Sequence, residues 1–202
     1  MHAELRWFVF HTLQRRSPQP GDRSRYAPSQ TRMTVNDRIR LISDSLARDS
    51  FCCSKDLDLG FATAALYAQN CVRWYFVMPF IRRYYFFANP TGQRCPTVRQ
   101  ICALHSMARD FTDRQNRIRR FWRTRVNITA TIILIDGPTE PATVEYVQTK
   151  KERYQFGDAN LIVLCSQQDH RIYSLAEFGN VNAIPLSRTS RYIHTLCETA
   201  LR

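Results

Sequence analysis

The chain has 202 residues, 44% of them hydrophobic and 12% aromatic, which is enough for one ordinary core and excludes global disorder. Its 29 Lys and Arg against 17 Asp and Glu leave a formal charge of +12, and only Lys55, Lys150 and Lys151 are lysines. So arginine-rich a chain suits a polyanionic partner, because the planar guanidinium matches phosphate oxygens in pairs.

In chain order, residues 1–33 read as a basic arm. Arg6, Arg15, Arg16, Arg23, Arg25 and Arg32 face few acids, and Leu5-Arg6-Trp7-Phe8 gives the amphipathic start of a mitochondrial targeting segment. A retained arm that clings to a partner fits the same residues. Residues 34–78 read as a helical extension. Thr34 with Asp37 three residues on predicts a capped helix with Val35, Ile39, Ile42 and Leu46 on one face, ending near Asp49. The alanines 62, 64, 65 and 68 predict a second helix over 57–75, ended by Pro79. The stretch 61–80 contains Gln69, Asn70 and Arg73, so it does not read as a membrane span of about 20 apolar residues.

Residues 79–170 read as the central domain. Arg83 to Ala88 is a short strand stopped by Asn89-Pro90. Thr97 and Gln100 have capping-box form, and Ile101, Leu104, Ala108 and Phe111 then repeat at helical spacing to about residue 117. Ile128 to Ile135 predicts a buried strand ended by Asp136-Gly137-Pro138. The alternation of Val144 and Tyr146 predicts another strand over 142–148, with a partner through Tyr154 and Phe156. The helix face Val98, Ile101, Leu104, Ala108 and Phe111 is expected to pack on Ile132, Leu134, Val144 and Tyr146. Leu161 to Leu164 is compatible with a strand or a helix. Residues 171–202 form a C-terminal extension closing in a helix near 190–201. The fold class is α/β: a mixed sheet with flanking helices behind an N-terminal helical extension.

The order of elements is that of a thioredoxin-like fold, and the stretch from Asn70 to Ile101 resembles the family of the mitochondrial large-subunit ribosomal protein number forty-three. Its relatives include a small-subunit ribosomal protein and an accessory subunit of respiratory complex I. Asn70, Val72 and Tyr75 fall in step with the family's first motif. Arg82-Arg83-Tyr84-Tyr85-Phe86 resembles its aromatic strand, and Gly92, Val98, Arg99 and Ile101 its loop and helix start. Pro141 to Tyr146 looks like the strand after the family's first crossover. Cys95-Pro96-Thr97 and Lys150-Lys151 depart from the pattern. The resemblance implies a structural constituent of the mitochondrial ribosome in the matrix, a subunit of a large complex bound to ribosomal RNA and other mitochondrial ribosomal proteins. The alternative it implies is a complex I accessory subunit.

Candidate RNA-binding residues are Arg114, Arg117, Arg119, Arg120, Trp122, Arg123 and Arg125, with Arg82, Arg83 and Arg99. Arginines neutralise phosphates and an interleaved aromatic can stack on an unpaired base. Cys95 before Pro96 at a helix start is the residue a thiol oxidoreductase would use, but Cys102, seven residues on, lies too far along a helix for an easy disulfide. The seven cysteines have no CxxC or zinc spacing, the five histidines are scattered, and the six glycines form no phosphate loop. No catalytic residue, metal or cofactor is expected.

Overall fold

The computed structural model describes residues 33–59, 63–72, 81–89, 95–115, 126–149, 158–175 and 184–201. Helix α1 (Val35–Arg48) starts where its cap predicts. Thr34 Oγ1 accepts from the Asp37 amide at 3.2 Å, and the Asp37 carboxylate accepts from the Thr34 amide at 3.3 Å and hydroxyl at 2.7 Å. The helix ends on Ser50 in the left-handed region (φ 62°), with the Phe51 amide donating to the Leu46 carbonyl and the Ser50 amide to that of Ala47. That pattern closes the last turn and folds Phe51 back over Leu46.

Thr34→Ala should lower stability by about 1 kcal/mol, read from the urea midpoint. The Thr34 hydroxyl and then its amide hold the Asp37 carboxyl below the usual range. A depressed folded pKa adds stability above the unfolded value, near pH 4, that is lost as pH falls through the folded one. The variant should therefore lose part of its sensitivity to acid.

Strands β1 (Cys52–Asp58), β2 (Thr63–Val72) and β3 (Ile81–Ala88) run as an antiparallel meander. Helix α2 (Val98–Gln115) leads to β4 (Val126–Ile135), parallel to β3, and α3 (Pro141–Thr149) leads to β5 (Asp158–Ser166), parallel to β4. A short hairpin adds β6 (Arg171–Ser174) antiparallel at the edge, and α4 (Ile184–Leu201) closes the fold. The six strands lie in the sheet in chain order. This is the α/β class the sequence predicts, a mixed sheet flanked by helices and consistent with a thioredoxin-like α/β arrangement. The two crossovers step across the sheet in one direction, so right-handed connections leave α2 and α3 on the same face.

Side chains alternate between two cores. On the face of α1 and α4, Tyr85, Phe87, Ile132, Leu134, Val163 and Cys165 meet Ile42, Leu46, Ile193 and Cys197. On the other face, Tyr84, Phe86, Ile133, Ile135 and Leu164 meet Ile101, Ala108 and Val147, with Leu104 and Phe111 packed alongside. Ile101, Leu104, Ala108 and Phe111 of the predicted α2 face are in this core and Val98 is not, and the partners in β4 are Ile133 and Ile135. Ile132 and Leu134 point to the opposite layer, because a strand alternates faces with period two.

Three further expectations are corrected. Where a second helix is expected over 57–75 the described residues are strand: 52–58 pairs with 63–72, and 63–72 pairs with β3, so among the described residues of the 34–78 extension only α1 is helical. Residues 142–148 are helix, and Pro141 stands at the first helical position, where its fixed φ and missing N–H are tolerated. Residues 171–202 are not an appendage, since β6 extends the sheet and α4 supplies core side chains. The open choice at 161–164 resolves to strand, buried along β5. The partner strand expected through Tyr154 and Phe156 lies outside the described residues.

Candidate nucleic-acid interface

Register sets the geometry of the site. Cys52 pairs with Gln69 and Gln69 with Tyr84, while Cys71 pairs with Arg82. Directly opposed residues share a face, so these five side chains lie together on the α2 side of the sheet. Helix α2 runs back over that face, and Gln115 is its last described residue. A cleft of about 370 Å³ remains there, lined by Cys52, Gln69, Asn70, Cys71, Arg82 and Tyr84 on the sheet, by Ser50 just before β1 and by Gln115 on the helix. Among the described residues no Asp or Glu lines it.

Two of these groups are held in place. Arg82 donates to the Tyr84 hydroxyl and, more weakly, to the Cys71 sulfur, and these contacts raise its pKa above the ordinary arginine value. The Tyr67 hydroxyl, packed under Phe111 and Phe86, donates to Gln69 Oε1 at 2.9 Å. That fixes the carboxamide with its amino group turned from Tyr67. Tyr67 itself is pushed upward by burial, so it stays a neutral donor.

The expected RNA-binding residues separate. Arg82 belongs to the cleft. Arg83 pairs with Asn70 and points to the opposite face, beside Tyr85 and Tyr192, with its Nε buried and unpartnered. Burial pushes the Tyr85 hydroxyl up to about 12, with the Arg83 guanidinium opposing. Arg82 and Arg83 thus form no single basic edge. Arg99 is exposed in the first turn of α2 and Arg114 in the last, roughly 22 Å apart at 1.5 Å per residue. Arg114 shares the cleft's end of the sheet and Arg99 lies at the other. Arg117, Arg119, Arg120, Trp122, Arg123 and Arg125 lie outside the described residues. The chain enters that run at Gln115 and leaves it at Val126, which pairs with Ile81 beside Arg82.

Elsewhere the titratable groups serve packing. Cys95 is 8% exposed and its thiol donates to the Pro96 carbonyl, whereas Cys102 lies against the Tyr146 hydroxyl at 2.9 Å. His105 Nδ1 meets the Thr131 hydroxyl at 2.8 Å between α2 and β4. Ser174 Oγ and His194 Nε2, also 2.8 Å apart, tie β6 to α4, and burial lowers the His194 pKa against the pull of Glu198. Among the described residues no cluster of three His, Cys, Asp or Glu side chains could hold a metal, and no helix is long and apolar enough to cross a membrane.

Sequence reasoning missed Cys52, Gln69, Cys71 and Gln115 as neighbours. Their signal lies only in the register of β1, β2 and β3, since they are far apart in the chain and of unremarkable type. No family model, no curated protein and no solved structure matches the chain.

Proposed function

We propose that this chain is a structural constituent of the mitochondrial large ribosomal subunit, a non-catalytic protein of the matrix that binds ribosomal RNA and neighbouring ribosomal proteins through arginines. One positional observation carries the reading. Arg82, Arg114 and the two described residues that flank the arginine run, Gln115 and Val126, lie at one end of the sheet, where among the described residues no carboxylate lines the cleft. A net charge of +12, almost wholly arginine, supplies the field that draws in a polyanion. The resemblance over Asn70 to Ile101 supports the ribosomal assignment and falls on β2, β3 and the start of α2. The resemblance at Pro141–Tyr146 does not contribute, because that segment is helical.

Changing Arg117, Arg120 and Arg123 together to Gln tests the interface. Each lost phosphate contact removes roughly 0.7 to 0.9 from the log–log salt slope, so RNA binding should flatten by about two to three units. A melting temperature equal to the parent's would show that the substitutions act on binding and not on the fold. A slope equal to the parent's would remove the run from the interface.

A further inference from the structure

We propose that Cys165 and Cys197 form a dithiol that a peroxide oxidises to a disulfide, fastening α4 to the sheet, with Arg38 beside the sulfur that attacks. The site lies on the α1 and α4 side of the sheet, away from Arg82 and α2, so its chemistry is separate from RNA binding. Cys165 stands in β5 between Leu134 of β4 and Ile172 of β6, and Cys197 lies on α4 with Ile193 and Ala200. Both cysteines are wholly buried, and the Cys197 thiol donates to the Cys165 sulfur. The two atoms that would bond are therefore already neighbours.

A third element brings the charge. Gln167, two residues after Cys165, donates through Nε2 to the Met33 carbonyl at 3.3 Å, which ties this end of β5 to the start of α1. Arg38 enters from α1, wholly buried. Asp136 takes only Nη2, and Nε and Nη1 have no hydrogen-bond partner among the described residues. A buried guanidinium with two idle N–H groups is costly unless an anion faces it, and a thiolate is an anion this core can form. The hydrogen bond from Cys197, with Arg38 adding to it, draws the Cys165 thiol down against its burial. The same hydrogen bond and burial hold Cys197 well above the ordinary thiol range. Cys165 is thus the attacking sulfur and Cys197 the resolving one. The Cys165 thiolate attacks one peroxide oxygen and the O–O bond breaks. Its sulfur becomes a sulfenic acid, and the departing hydroxide takes the proton Cys165 gave up and leaves as water. The Cys197 sulfur then attacks the sulfenic sulfur, and the displaced hydroxide carries off the Cys197 proton as a second water. Two thiols lose two electrons, and one peroxide is reduced to two waters.

The experiment treats the native full chain with hydrogen peroxide after N-ethylmaleimide has blocked the exposed Cys52, Cys53 and Cys71. Mass spectrometry of the digest should find the peptides of Cys165 and Cys197 joined, and dithiothreitol should separate them. The bond closes a loop of the unfolded chain, so the oxidised protein should show a higher urea midpoint than the reduced one. In Cys197→Ala the sulfenic acid has no resolving thiol, and a cyclic 1,3-diketone should label Cys165. Arg38→Met should slow formation of the disulfide several-fold, because the attacking sulfur loses the cation that favours its thiolate. A joined peptide that forms only in urea, or does not form, overturns the proposal and leaves the two thiols as core packing. A midpoint that the bond does not move overturns the fastening of α4, and an unchanged rate in Arg38→Met overturns the part given to Arg38.

Discussion

Replacing Ile132 by aspartate is expected to cost at least about 3 kcal/mol and to unfold much of the population under mild conditions. Ile132 sits mid-strand in β4, paired with Phe87 on one side and Val163 on the other, and all three are wholly buried. Its side chain enters the core between the sheet and α1 with α4, where the cluster is otherwise aliphatic, aromatic and thiol. The fully buried Arg38 is already paired with Asp136, and Arg83 in the same layer stands beside Tyr85 and Tyr192. The charge must therefore be buried unpaired or the acid protonated, and either is expensive. A urea titration followed by far-ultraviolet circular dichroism reads the loss. A midpoint close to the parent's would mean that β4 does not stand at the centre of the sheet.

The second large effect concerns Arg38. Its guanidinium is fully buried under α1 and ion-paired with Asp136 at the end of β4, while Nε and Nη1 have no hydrogen-bond partner. Asp136 keeps 35% of its side-chain surface exposed. The two ends of the pair are thus unequal, and so should be the two deletions. Asp136→Asn leaves a buried guanidinium without its counter-charge and should cost about 3 kcal/mol, at the low end for broken buried pairs because solvent already screens the acid. Arg38→Met leaves a carboxylate that water can solvate and removes two unsatisfied donors, so it should cost less than about 1 kcal/mol or stabilise. Equal losses in the two variants would contradict this account. The same guanidinium favours the Cys165 thiolate, though the larger cause of the lowered Cys165 pKa is the hydrogen bond from the Cys197 thiol.

Those two sites also mark what could be read in advance. The caps at Thr34 and Thr97 are local, contained within four residues, and the helices begin where they predict. The aliphatic run 128–135 forces a buried strand by composition alone. Residues 64–68 hid their strand because both faces are covered there: Ala64, Leu66 and Ala68 are buried, and so is Tyr67 on the alternate face. Without a polar face there is no period-two signal, and alanine's helical preference fills the gap until cross-strand pairing overrides it. Residues 141–149 misled in the opposite way. Val144 and Tyr146 alternate like a strand, but the buried pair is Thr143 and Val147, four apart on a helix whose first residue is proline. The arginines were visible as a class, but which of them share a surface depends on register. Arg82 and Arg83 are adjacent in sequence and on opposite faces of the sheet.

The central claim is membership in a ribonucleoprotein, and sedimentation of the tagged full-length chain from mitochondrial lysate tests it most directly. With magnesium lowered to separate the ribosomal subunits, the chain should travel with the large subunit's RNA and move to the top of the gradient after ribonuclease treatment. Sedimentation that ignores ribonuclease, with the chain in an RNA-free respiratory complex or in no particle at all, would contradict the account.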